Sequence, residues 1–280
     1  MSVPPTSRMT AASKAVIAQT YDRMADRYDD VPLWARYGRR TVERIDLALG
    51  ASVLDVGCGA GAATLPAAQI VGPAGRVVGI DLSAGLLACA REKAAGQGLA
   101  NVEFRIEDMT ALQYPDEHFD AVVSAFSIFF VDDIEALAGE LWRMVKPGGT
   151  LAITTWAPPI FEPLETLLRM CALPELPDLR RTRSNMDLVM LPDLLERRMH
   201  CGGVASACAV AEHGFEWLPT PDDWWNMALG CGLRRIIASM DSEAAERTRA
   251  RMVRWILDND ARTVATSVVY GTAVKPRRTA

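Results

Sequence analysis

Acidic residues stand at the ends of strand-like runs, and their spacing from a glycine-rich turn defines the chemistry open to this chain. Val53-Leu54-Asp55-Val56 leads straight into Gly57-Cys58-Gly59-Ala60-Gly61 and then the helical Ala62-Ala63-Thr64. Glycines permit positive φ and carry no Cβ, so a ligand can lie against the backbone at the strand's carboxyl end, the crevice where open α/β sheets bind ligands. A tight structural turn is the other reading of such a run. Asp81 closes the next apolar run, Val78-Gly79-Ile80-Asp81-Leu82-Ser83. There a carboxylate can accept hydrogen bonds from two ribose hydroxyls; a helix N-cap from Ser83 onward is the plainer alternative.

The glycines also fit the dinucleotide fingerprint, with Ala62 in third place, so loop and Asp81 together suit a nicotinamide dinucleotide and S-adenosylmethionine alike. Later residues separate the two. Glu107-Asp108-Met109 follows the third run, Phe119-Asp120-Ala121-Val122-Val123 forms the fourth, and Lys146-Pro147-Gly148-Gly149-Thr150 precedes the fifth. Together these resemble the class I S-adenosylmethionine-dependent methyltransferases, especially the branch similar to ubiquinone and menaquinone biosynthesis methyltransferases. The resemblance covers Tyr21 to Pro158 by motif, and the rest more weakly.

The resemblance implies that the methionine end of the cofactor lies against Gly57, Gly59 and Gly61, with Asp55 supporting that loop and Asp81 holding the ribose. Leu82 and Met109 would sandwich the adenine while Asp108 accepts from its amino group, burying a flat ring yet satisfying its polar edge. Met109 as plain core is the alternative. Tyr21-Asp22-Arg23-Met24-Ala25-Asp26-Arg27-Tyr28-Asp29 resembles the family's N-terminal helix, whose tyrosines fold over the methionine end. Tyr21 and Tyr28 thus join the cofactor set, unless the segment is an ordinary amphipathic surface helix. Ser124 and the aromatics Phe126 and Phe129, in Ser124-Ala125-Phe126-Ser127-Ile128-Phe129-Phe130, should border the methyl group, with core packing as the other reading.

Methyl transfer is an in-line displacement at a carbon bonded to positively charged sulfur, so the protein chiefly supplies alignment and exclusion of water. An amine acceptor needs only a lone pair; a hydroxyl or activated carbon must lose a proton to a positioned group. The histidines are His118, His200 and His213. His118 reads as a surface residue and His213 as structural, leaving His200 and Tyr21 as catalytic candidates. No Asn/Asp-Pro-Pro-Tyr follows the fourth run, where base-flipping relatives carry it, and no carboxylate or His/Cys cluster has the pattern of a metal shell.

These residues need a frame that brings strand ends together. Apolar runs at Ser52–Val56, Arg76–Ile80, Val102–Ile106, Phe119–Ser124 and Thr150–Trp156 alternate with helical segments, which implies right-handed βαβ crossovers and a parallel sheet covered by helices. Helices are expected over Ala11–Asp30 and Tyr37–Leu49, and residues 1–10 read as disordered. Val204–Glu212 and Val264–Val274 could close a seven-stranded Rossmann-like α/β sheet. Thr220 suits the N-cap of a helix starting at Pro221, with Asp222 and Asp223 in its first turn. The expected layout is an N-terminal helical lid over 1–36, a cofactor-binding core over 37–157 and 201–280 that includes cap helices at about 219–260, and a helical cap insertion over 158–200. Trp156, Trp224 and Trp225 are expected to line an apolar acceptor pocket.

Composition narrows the class of partner. The 280 residues are 50% hydrophobic with a formal net charge of −5, which gives no general attraction for phosphate backbones. The arginine pairs, such as Arg180-Arg181 and Arg277-Arg278, read as solvated faces. No run approaches the roughly 18–20 apolar residues of a membrane span, the N-terminus lacks the pattern of an export signal, and six scattered cysteines without a C-x-x-C pair suit a reducing cytoplasm. A small-molecule acceptor, no nucleic acid and no membrane insertion are expected, with a homodimer left open. The competing functions are a nicotinamide-dependent oxidoreductase and a cofactor-binding protein without transfer activity.

Overall fold

Val, Ile and Ala fill most of the interiors of the first five strands where these are covered on both faces, which removes the polar alternation of a half-exposed sheet; the edge strand Val102–Ile106 keeps that alternation through Glu103 and Arg105. In the computed structural model, which describes residues 10–179 and 184–278, the five are β1 Ser52–Val56, β2 Arg76–Asp81, β3 Val102–Ile106, β4 Phe119–Ala125 and β5 Val145–Ile160. All four pairings among them are parallel. β6 Cys208–Glu212, β7 Phe215–Trp217 and β8 Thr263–Val274 complete the set, and the path runs β3-β2-β1-β4-β5-β8-β6. β8 is antiparallel to both β5 and β6, so β6 runs in the same direction as β1 to β5.

The expected seven strands lie along that path, and the eighth is an addition: β7 pairs with the first residues of β8. Three residues, Phe-Glu-Trp, are too few to display a period. Two other boundaries move. The strand expected from Val204 starts at Cys208, because Val204–Ala207 closes a turn through Ala207 N–H to the Val204 carbonyl. β5 runs past Trp156 to Ile160 across a register shift.

The helices are α1 Ala11–Asp22, α2 Leu33–Glu43, α3 Thr64–Val71, α4 Ala84–Gly96, α5 Ile134–Met144, α6 Leu164–Ala172, α7 Pro192–Cys201, α8 Pro221–Leu229, α9 Arg234–Ile237 and α10 Ser242–Asp258. The single helix expected over Ala11–Asp30 is broken after Asp22. A 3-10 segment, Ala25–Asp30, follows, and the bend buries Met24. α2 starts just after Pro32 and ends six residues before Leu49, with Ile45 beyond it turned into the sheet. The expected disorder of residues 1–10 and the Arg180-Arg181 pair concern positions that lie, Thr10 apart, outside the described residues.

Strand alternation sorts the core. Leu54, Val56, Val78, Ile80 and Val122 meet α5 and α7 on one face, while Val53, Val77, Ala121 and Val123 meet Val42 of α2 and Ala67 and Val71 of α3 on the other. A third cluster joins α6, α8, α9 and α10 to Trp156 and Ile160 of β5 and to Val264 and Val268 of β8. Those strand positions are the carboxyl end of β5 and the facing start of β8, so the cap sits over the end of the sheet where the glycine turn emerges. α8 begins as expected, with a reciprocal capping box between Thr220 and Asp223 and Pro221 in the first turn. Of the helices expected in the 158–200 insertion, only α6 joins this cap. α7 sends Leu195 and Met199 into the cluster of α5 and flanks the sheet.

α2 approaches the glycine turn through Gly38. A Cβ there would stand 2.4 Å from the backbone carbonyl carbon and oxygen of Ala62, atoms that cannot step aside without moving the loop. Gly38→Ala should therefore cost roughly 1–3 kcal/mol through overpacking, read as a lower midpoint in thermal or urea unfolding. An unchanged midpoint would mean that α2 does not press on the loop.

Candidate functional site

The turn after β1 takes a conformation that suits glycine, with φ of 70° at Gly57, 53° at Gly59 and 86° at Gly61. The three positions differ in what surrounds them. A Cβ on Gly57 would fall 2.4 Å from the Cβ of Ser127, so the loop and the segment after β4 pack backbone to side chain. At Gly59 the nearest atom is the Tyr28 hydroxyl at 3.6 Å, which puts the N-terminal segment against the loop. Gly57 and Cys58 donate their N–H groups to the Ile80 carbonyl at 2.8 and 2.9 Å, tying the loop to the end of β2.

Asp81 occupies that end. One carboxylate oxygen accepts from Gly59 N–H at 2.8 Å and the other from Ser83 N–H at 2.8 Å. Ser83 itself caps α4, accepting from Leu86 N–H, so the capping role is taken by the serine and the carboxylate is turned back to the glycine loop. Burial raises the Asp81 carboxyl above its ordinary range, against the pull of its backbone donors. Asp55 is fully buried behind the loop. Its Oδ2 accepts from the Thr64 hydroxyl at 2.6 Å, its Oδ1 has no partner, and burial pushes the carboxyl up to about 7.

Asp108 follows β3 and lies at the rim. Lys14 of α1 donates to it at 2.7 Å, and Thr110 donates through both its N–H and its hydroxyl. Partial burial works to raise this carboxyl, but the Lys14 and Thr110 donors outweigh it and hold it below the ordinary value. Met109 brings its terminal methyl 3.4 Å from where a Gly57 Cβ would be, and Leu82 is half-buried beside Asp81. Ser124 is buried at the back of the site, 2.7 Å from the Ser127 hydroxyl, which donates to the Val56 carbonyl.

The N-terminal segment is docked through Asp22, which accepts from the Ser83 hydroxyl and Gly85 N–H. Tyr21 and Tyr28 meet edge to face, Tyr21 stands perpendicular to Phe130, and Tyr28 stacks on Trp34 with ring centres 5.2 Å apart. Trp34 in turn meets Phe126 and Trp156, whose own centres are 4.3 Å apart. Burial pushes the Tyr21 phenol up to about 12 and Tyr28 well above its ordinary value, so both hydroxyls stay protonated. Sequence reasoning missed Lys14, Trp34 and Ser127. For Trp34 a signal existed, a tryptophan directly after the tyrosine-rich segment. Lys14 and Ser127 act through long-range contacts that a linear pattern does not show.

Two expected residues, His200 and Trp224, take no part in these contacts, and the second is corrected. His200 lies exposed in the last turn of α7, ahead of β6. The Gly202 that ends this helix packs on Glu135 and Gly139 of α5, and among the described residues no hydrogen bond or ring contact joins His200 to the glycine loop, Asp81 or the aromatic rings. Trp224 is completely buried and donates to the Leu218 carbonyl at 3.3 Å, so it is core of the cap and not pocket wall. Trp225 is half-buried against the same cluster, as is Phe129. His118 is exposed, and His213 is engaged with Ser267.

A family model described as a methyltransferase domain matches residues 53–149. Aklanonic acid methyltransferase DauC from Streptomyces sp. (strain C5) is 32% identical over 202 residues, covering 68% of this chain and 92% of that protein. The ubiquinone/menaquinone biosynthesis C-methyltransferase UbiE of Cronobacter sakazakii is 32% identical over 159 residues, 53% of this chain and 62% of its own length. Among solved structures, the YcgJ protein from Bacillus subtilis superposes with a TM-score of 0.54 at 16% identity, covering 87% of this chain and 100% of that one, a likeness of fold.

The Asp55 carboxyl, at about 7 against an ordinary 3.8, retains its proton in the folded protein across a range where the unfolded chain has released it. Folding thus loses stability as pH rises from about 4 to about 7, and the loss is complete above that window. An asparagine amide in its place is neutral throughout, so Asp55→Asn should be more stable than the parent at about pH 8, by roughly 1–4 kcal/mol. That advantage should vanish near pH 4. Thermal melts of both proteins across this range check it, and a difference that does not vary with pH would remove Asp55 as the titrating group.

Proposed function

Since the chain belongs to the class I S-adenosylmethionine-dependent methyltransferases, we propose that it binds S-adenosylmethionine in the crevice between Gly57–Gly61, Asp81 and Asp108. From there it moves the methyl group to oxygen, nitrogen or carbon of a small, apolar or aromatic metabolite. The observation that carries this is the convergence of three successive strand ends: Asp81 at the end of β2 is hydrogen-bonded to Gly59 of the β1 loop, and Asp108 follows β3 along the same rim. Relatives named for aklanonic acid methylation and for ubiquinone/menaquinone C-methylation support a small flat acceptor. Family membership sets aside the nicotinamide reading that the glycine loop alone allowed.

The residues fit the cofactor. A Cβ on Gly59 would meet only the side chains of Tyr28 and Leu86, at 3.6 Å and beyond, so no backbone crowds that side of the loop, and each Asp81 oxygen accepts one N–H and keeps lone-pair capacity for ribose hydroxyls. Asp108 would take the adenine amino group, with Leu82 and Met109 on the ring faces. When bound, the cofactor supplies a methyl group on positively charged sulfur. The chain's own part is alignment and dryness. Tyr21 and Tyr28 close the loop's open side, and Phe126, Trp34 and Trp156 form an apolar wall on which a flat acceptor can be held in line. With its phenol held protonated, Tyr21 donates a hydrogen bond and does not remove a proton. Ser124 contacts the site through Ser127.

The reading takes residues 1–36 as lid and the helices at about 219–260, with α6, as cap. It includes a cytoplasmic location and an acceptor that is not nucleic acid, and leaves a homodimer open. No helix among the described residues is long and apolar enough to cross a membrane.

Asp81→Ala should weaken S-adenosylmethionine binding about tenfold to a hundredfold, the loss of a charged acceptor for two hydroxyls. Isothermal calorimetry on the folded variant measures it, and unchanged affinity would take Asp81 out of the site. A chain starting at Val31 keeps every strand but loses Lys14, Asp22, Tyr21 and Tyr28. It should melt cooperatively yet lose most methyl transfer, because the lid excludes water only when present. Full turnover by that shortened chain would show that the segment is no lid.

A further inference from the structure

Five buried side-chain polar atoms among the described residues have no hydrogen-bond partner: Trp34 Nε1, Asp55 Oδ1, Thr155 Oγ1, Arg234 Nη1 and Tyr270 Oη. Hydroxyls and carboxylates can change role by rotating or taking a proton. An indole N–H and a guanidinium nitrogen cannot, because both only donate. A buried donor left without an acceptor is unfavourable, and native folds retain few of them. Both obligate donors in this set border the apolar enclosure described above.

Arg234 opens α9, the short cap helix. Its neighbours Leu233, Ile236 and Ile237 are buried in the cluster against which Trp34, Phe126 and Phe129 pack. The turn before α9 touches the lid: a Cβ on Gly230 would stand 2.1 Å from Val31 Cγ2. Asp81, Arg234 and Arg235 are all within electrostatic reach of the Tyr21 phenol. Arg234 is therefore at the acceptor side of the crevice. It forms no ion pair among the described residues, whereas Arg247, Arg249 and Arg251 of the same cap pair with Glu175 or Asp222. Carboxylates are available to cap arginines, and Arg234 alone of these four goes without one.

We propose that Arg234 is the anchor for a carboxylate on the methyl acceptor, with Trp34 Nε1 as a second donor to the same flat molecule. The inference rests on the methyltransferase reading and narrows its substrate class to aromatic carboxylates. A guanidinium presents a planar fork that matches a carboxylate with two parallel hydrogen bonds, and inside an apolar wall that pairing is little weakened by water. The aromatic rings of Trp34, Phe126 and Trp156 supply the complementary surface for the rest of the molecule. The anchor fixes which edge of the acceptor faces the lid and therefore which atom is presented for transfer.

The test uses the full chain saturated with S-adenosylhomocysteine and two matched probe pairs, 2-naphthoate with 2-naphthamide and anthraquinone-2-carboxylate with its carboxamide, titrated by calorimetry near neutral pH. The carboxylates should bind about tenfold or more tighter than the amides. Arg234→Met should erase that preference by weakening the acids while leaving the amides unchanged, Arg234→Lys should keep part of it, and Arg235→Met should keep it whole. A general structural defect would weaken acid and amide alike. Equal binding of acid and amide by the parent protein, no binding of either acid, or a preference that survives Arg234→Met or disappears with Arg235→Met would each overturn the proposal. S-adenosylhomocysteine affinity, measured first on the same samples, keeps the two levels apart. Failure there removes the methyltransferase reading and the anchor with it, whereas normal affinity without acid preference removes the anchor only.

Discussion

The Gly59 N–H to Asp81 hydrogen bond joins residues 22 apart in the chain, and the site is assembled around it. Parallel pairing of β1 with β2 brings the two strand ends level, but pairing alone leaves the loop free to swing. Two bonds to the Ile80 carbonyl and one to the Asp81 carboxylate stop that motion. The same carboxylate fixes Ser83, Ser83 starts α4, and Asp22 of the lid docks on Ser83 and Gly85. A single acidic side chain thus links loop, second strand, fourth helix and lid. Its placement in a buried setting is unfavourable for the charge, and the backbone donors offset only part of that cost.

Around this centre the fold divides its labour by distance from the carboxyl ends of the strands. The middle of the sheet is filled by aliphatic residues on both faces and has no polar business there. The end of the sheet changes character within a few residues, to aromatic rings and a handful of buried polar groups. The lid and cap meet over that zone because β5 and β8 extend beyond the other strands and give the cap helices a platform.

How much of this could be read from the sequence followed from what is local. The strands β1 to β4, the glycine turn, the strand-end positions of Asp81 and Asp108 and the Thr220 cap of α8 are encoded by neighbours within a few positions, and they were legible. β7 escaped because three residues carry no periodicity. The side of the sheet that His200 takes was not legible because it depends on β6, which is fixed by pairing with a strand about 60 residues later. Trp224 and Trp225 adjoin in sequence, yet only tertiary packing decides that the first is core and the second half-buried. Lys14 and Trp34 became meaningful only when folding set them beside Asp108 and Phe126.

The stack of Tyr28 on Trp34 couples two parts of the crevice. Tyr28 lies against Gly59 of the glycine loop, while Trp34 meets Phe126 and Trp156. Displacing the N-terminal segment must slide one ring off the other and uncover the loop and part of the aromatic cluster at the same moment. If that segment is the lid proposed above, cofactor exchange and acceptor traffic share one door, and the rate of unstacking is a property that both ligands feel.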